Sequence, residues 1–64
     1  MKKMTKETIA EVRNALQIIR GYAELTRETS PDGKAIHGAS VTIATVDRIA
    51  KILEAERANL HDEH

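Results

Sequence analysis

The chain reads as an all-α protein: an antiparallel helical hairpin that homodimerises into a four-helix bundle. Three observations predict this. Apolar residues recur at alternating spacings of 3 and 4 through two long segments, the pattern of a heptad seam. A single turn-forming cluster, Ser30-Pro31-Asp32-Gly33, separates the two segments. Finally, the chain has 64 residues and no cysteine. A domain of that size buries only ~60% of its unfolded surface, so further core has to come from a partner.

The first helix is expected over about residues 5–29. Ile9, Val12, Leu16, Ile19 and Ala23 form its seam, Thr5 is placed to cap it, and Glu7 in the first turn suits the helix dipole. The turn occupies about 29–33. The second helix is expected over about 31–61, with Ser30 as N-cap and Pro31 at the first helical position. Its seam runs Ile36, Ala39, Ile43, Val46, Ala50, Leu53 and then Leu60, interrupted at Arg57.

At 1.5 Å per residue the helices span ~36 and ~45 Å, and a short connection makes them antiparallel neighbours. Two seams alone are too little for a dry core. Ile9, Val12, Leu16, Ile19, Ile43, Val46, Ala50 and Leu53 are therefore expected at the core of a dimer, within a single domain over 1–64.

Two features run against helix. Ser40 to Val46 is rich in β-branched residues, which favour strands, but the heptad continues through it and no second strand is available to pair with it. Gly21 and Gly38 each cost a helix interior ~1 kcal/mol relative to alanine, and close packing is the expected compensation.

Ten basic and ten acidic residues cancel, and one tyrosine is the sole aromatic residue. Neither an electrostatic footprint nor a stacking platform for nucleic acid is present. The longest uncharged run, Ala35 to Val46, contains His37, Ser40, Thr42 and Thr45 and is too short and polar to cross a bilayer. Met1 to Met4 precedes no apolar stretch, so no secretory signal is expected. A cytoplasmic protein with no membrane contact is the expectation.

Ala10 to Leu25 reads A-E-V-R-N-A-L-Q-I-I-R-G-Y-A-E-L. It resembles the phosphoacceptor helix of two-component sensor histidine kinases, whose pattern is close to H-E-L-R-T-P-L-x-x-I-x-G-Y-x-E-L. Glu11, Val12, Arg13, Asn14, Leu16, Ile19, Gly21, Tyr22, Glu24 and Leu25 fall on matching positions, while Ala10 stands where the phosphoacceptor histidine belongs and Ala15 where a proline is frequent. Val46 to Leu53 also resembles the family's second helix, through a looser motif. The resemblance is to the dimerisation and histidine-phosphotransfer domain, and it covers about residues 5–60.

Helix geometry is consistent with the alignment. At about 100° per residue from Ala10, the seam lies at about 180–260°, whereas Arg13, Asn14 and Gln17 lie within about 60° of Ala10 on the outward stripe. Alanine has no lone pair, so neither autophosphorylation nor phosphorelay can pass through position 10. In the family, the acidic residue after the histidine polarises the imidazole; Glu11 here has none to serve.

The resemblance implies a module that dimerises and binds the receiver domain of a response regulator through Arg13, Gln17, Ile18, Tyr22 and Leu25, without carrying phosphate. Val41 and Ile52 could take the matching part on the second helix. Packing inside the dimer is the other role open to Ile18, Tyr22 and Leu25. Glu11 and Asn14 fit the family's E-x-x-N/T pattern, whose amide or hydroxyl positions water for hydrolysis of a phosphorylated receiver. Two further functions stay open: that phosphatase activity, and a purely structural bundle that holds subunits together. Two origins fit as well, a kinase domain whose histidine was changed to alanine or a natural decoy. No Gly-rich loop or ATP-binding domain is present, so no cofactor and no autokinase activity are expected of this chain alone.

The histidines are expected to be surface residues. His37 faces outward with Ala44, Arg48 and Lys51, opposite about Tyr22 and ~16 Å along the axis from Glu11. His61 and His64 bracket Asp62 and Glu63 but have no further ligand, so no metal site is expected. Asp47 with Lys51, and Arg20 with Glu24, are spaced as i, i+4 surface pairs.

Overall fold

The computed structural model describes residues 4–62, with the side chains of residues 4–59. Helix α1 spans Lys6–Thr29 and helix α2 spans Gly33–Asp62. They pack side by side as an antiparallel hairpin with extents of 50 × 19 × 15 Å. Val41 to Val46 lies within α2, so the heptad overrides the strand propensity of its β-branched residues. Among the described residues no helix is long and apolar enough to cross a membrane.

Local chemistry sets the ends. Thr5 caps α1: its backbone is extended, and its Oγ1 accepts from the Thr8 amide at 3.0 Å. At the other end Ser30 stops α1 rather than starting α2. Proline at 31 disfavours helical backbone in the residue before it, and Ser30 takes φ −78° and ψ 135° while its amide donates to the Thr26 carbonyl at 2.9 Å.

The expected start of the second helix at Ser30-Pro31 is therefore corrected to Asp32-Gly33. The Asp32 carboxylate accepts from the Lys34 amide at 3.0 Å, and the Asp32 carbonyl accepts from the Ile36 amide at 3.0 Å. Ser30 contributes by accepting from the Asp32 amide at 3.2 Å. Two successive Asx- or Ser-type bonds carry the chain through the turn.

The seam between the helices holds two apolar clusters. Ile9, Leu16, Val46 and Leu53 form one, with Met4, Val12 and Ala50 packed against it. Ala23, Ala39 and Ile43 form the other, nearer the turn. Small side chains at 23 and 39 suit the end where the short connection draws the helices together.

Of the residues expected at a dimer core, Ile9, Leu16, Ile43, Val46 and Leu53 are already buried inside one hairpin. Val12 and Ala50 are half-buried, and Ile19 is 46% exposed. Close packing at the helix glycines is not found within the hairpin. A Cβ added at Gly21 or Gly38 meets nothing within 4 Å.

Candidate functional site

The two helices turn unlike faces to the two sides of the hairpin. One side is ionic. Arg20 Nε donates to Asp47 Oδ1 at 3.0 Å across the seam, and Arg20 also pairs with Glu24 on its own helix. One heptad toward the open end, Arg13 stands 3.9 Å from Glu54, which lies 3.5 Å from Arg57. Both interhelical pairs therefore join positions seven apart on α1 to positions seven apart on α2.

The hydrogen bond from Arg20 holds the Asp47 carboxyl below the usual carboxylate range, against a smaller opposing desolvation, with the charges of Arg20 and Lys51 adding to the lowering. Bonds and charges from Asp47 and then Glu24 hold the Arg20 guanidinium more firmly in its charged form. Asp47 thus bonds across the hairpin to Arg20 rather than along α2, and Lys51 acts on it through space.

On this side lies a groove of about 510 Å³ lined by Lys6, Ile9, Ala10, Arg13, Asn14, Gln17 and Arg57. It brings together four of the residues singled out from the sequence: Ala10, Arg13, Asn14 and Gln17. Three cationic groups and two amides surround the Ala10 methyl, so the groove suits an anionic group that also accepts hydrogen bonds.

Glu11 is exposed and does not line the groove. At about 100° from Ala10 it points toward the apolar side instead. Lys6 was legible in principle, because it precedes Ala10 by one turn on the same stripe. Arg57 was not, since its approach depends on the register between helices.

The other side is mainly apolar. Ile18 and Tyr22 are 73% and 74% exposed, Leu25 is 55% exposed, and on α2 Val41 and Ile52 are 51% and 68% exposed. A shallow groove of about 490 Å³ runs between the helices here, lined by Ile18, Ile19, Tyr22, Ala23, Thr26, Ala39 and Thr42. The hydroxyls on this side are bonded to their own helices. Thr26 donates to the Tyr22 carbonyl at 3.0 Å, Thr42 to Gly38 at 2.9 Å and Thr45 to Val41 at 2.8 Å.

The chain exposes 5183 Å², whereas a compact monomer of its mass exposes roughly 4,100 Å². The excess follows from the elongated form of a two-helix hairpin, 50 × 19 × 15 Å.

His37 lies nearer the turn than the simple fold-back predicts. Ala39 packs with Ala23, so His37 falls beyond the level of Tyr22 and farther from Glu11. The His64 residue and the His61 side chain, considered above as a metal pair, lie outside the described residues.

No family model matches the chain, and neither a curated protein nor a solved structure is significantly similar to it.

Proposed function

We propose that the chain is a dimerisation module of the sensor histidine kinase type, which binds a response-regulator receiver without transferring phosphate through position 10. The observation that carries this reading is the division of the hairpin into two sides. Ala10, Arg13, Asn14 and Gln17 share one polar groove, while the uncovered apolar residues gather on the opposite side of the seam. A module that pairs with itself and engages a second protein needs two such surfaces.

The chemistry of the groove agrees with a phosphoaspartyl partner. Lys6, Arg13 and Arg57 supply positive charge, and the Asn14 and Gln17 amides supply donors around a position with no nucleophile. The alanine methyl leaves that partner's phosphoryl group where it is.

Two measurements test the reading. Titration of a panel of isolated receiver domains should find one that binds, and Arg13→Glu with Gln17→Glu should abolish that binding while helicity is kept. Ala10→His should also become phosphorylated on the new imidazole, with release of ADP, when mixed with ATP and a kinase ATP-binding domain of the family. Failure of both would reject the family reading.

A second reading, phosphatase action on the receiver, is favoured by one placement: Asn14 lines the groove beside Ala10. Its amide would position the attacking water, with no role for Glu11, which stands outside the groove. Asn14→Ala should then stop receiver dephosphorylation and leave binding intact; equal rates for both forms would end that reading.

A further inference from the structure

We propose that Glu54 is a built-in competitor for the polar groove, bridging Arg13 and Arg57 until a phosphoryl dianion displaces it. This rests on the groove's part in the reading above and adds the residue that sets which anions it accepts.

The arginines of the ionic side fall into two kinds. Arg20 is committed to the hairpin, its Nε bonded to Asp47 and its Nη1 to Glu24. Arg13 makes no hydrogen bond among the described residues, and its charged partner is Glu54 Oε2 at 3.9 Å. Arg57 reaches the other oxygen of the same carboxylate, Oε1, at 3.5 Å. Both distances exceed the ~2.7–2.9 Å of a charge-assisted hydrogen bond. Glu54 therefore holds the two guanidinium groups at the groove without consuming their donors.

One carboxylate spans these guanidinium groups, one from each helix, so a single phosphoryl group can touch both. Arg13 and Arg57 line the groove with Ala10, and Lys6 stands with Arg57 at its open end. The amides of Asn14 and Gln17 line it as well.

Charge then decides what can enter. Glu54 is tethered and so acts at a high effective concentration. A free carboxylate of equal charge gains nothing by replacing it. A phosphoryl group brings close to two charges and three strong acceptor oxygens, enough to engage both guanidinium groups at once. The displaced carboxylate loses little, because its side chain is already 53% exposed and returns to water. Register survives the exchange, since Arg20 still bonds to Asp47.

Nuclear magnetic resonance titration with inorganic phosphate at about pH 8, where it is mainly dianionic, tests this at constant ionic strength. The signals to follow are the Nε–H groups of Arg13 and Arg57 and the side-chain amides of Asn14 and Gln17. Phosphate should move them to saturation in the native chain, and acetate should not. Glu54→Gln should tighten phosphate roughly twofold to fivefold, the range that loose exposed pairs allow, and should let acetate bind. Glu56→Gln makes the same charge change on the other side of α2 by helical periodicity and should leave the affinity unchanged. Equal tightening by the two variants, or none by Glu54→Gln, overturns the competitor role, as does phosphate that leaves the four side chains unmoved. A receiver domain that binds the native chain despite such a result would keep the wider reading. Displacement by phosphate with no receiver bound would leave Glu54 its role and remove that reading.

Discussion

Arg20 on α1 reaches across the seam to Asp47 on α2, its Nε donating to Oδ1 at 3.0 Å. Arg13 and Glu54 repeat the relation one heptad away, at 3.9 Å. Because both pairs recur with the same seven-residue step, sliding α2 by one turn would break them together. The pairs are exposed, so they contribute more to choosing the register than to overall stability.

The Asp47 carboxyl is held below the usual carboxylate range, mainly by its hydrogen bond from Arg20. Its unfolded form binds a proton more readily than its folded form, so the stability it contributes is present above pH ~4. That contribution is lost as pH falls through the folded-state value. Asp47→Asn should be less stable than the native chain at pH 7, and the difference should vanish on acidification. Urea titrations at a series of pH values check this; a difference that grew toward low pH would contradict the assignment.

Leu16 is buried between Val46 and the other residues of the larger cluster. Leu16→Ala should destabilise the fold by about 2–4 kcal/mol through lost transfer energy and the cavity left behind. Chemical denaturation at a fixed chain concentration measures it, since association shifts apparent stability.

Gly21→Ala should act in the opposite direction. An added Cβ meets no atom within 4 Å in the hairpin, and alanine is favoured in a helix interior by about 0.5–1 kcal/mol. Thermal unfolding should show a higher midpoint for the variant.

Asp32 accepts from the Lys34 amide at the start of α2. Asp32→Ala should therefore cost about 1 kcal/mol through loss of the cap. Ser30→Ala should cost less, because the Ser30 amide, which bonds to the Thr26 carbonyl, is retained in alanine. Denaturation of the two variants side by side ranks them.

Much of this fold could be read from spacing alone. The alternating 3 and 4 steps through Ile9, Leu16 and Ala23 and through Ala39, Val46 and Leu53 mark residues that the hairpin buries. Thr5 was legible as a cap because it stands one turn before the first periodic residue, Ile9, with Glu7 following it in the first turn. The start of α2 was not, since Ser30-Pro31 and Asp32-Gly33 are both credible cap pairs in sequence. Proline at 31 acts first on the residue before it, ending α1 at Ser30.

The candidate site was legible where it depends on one helix and hidden where it depends on two. Ala10, Arg13, Asn14 and Gln17 share a stripe by helical periodicity and share a groove in the structure. Arg57 joins them, and Arg20 meets Asp47, only because the turn fixes the register between α1 and α2. No local pattern encodes that register.

The most direct test of the central claim is the mass of the native chain in solution, measured by sedimentation equilibrium over a range of concentrations. A dimer near twice 7.1 kDa is the predicted result, with the apolar side of each hairpin covered by the other. A folded, helical monomer of 7.1 kDa at every concentration would contradict it, because the exposed Ile18, Tyr22 and Ile52 would then have no partner copy to bury them.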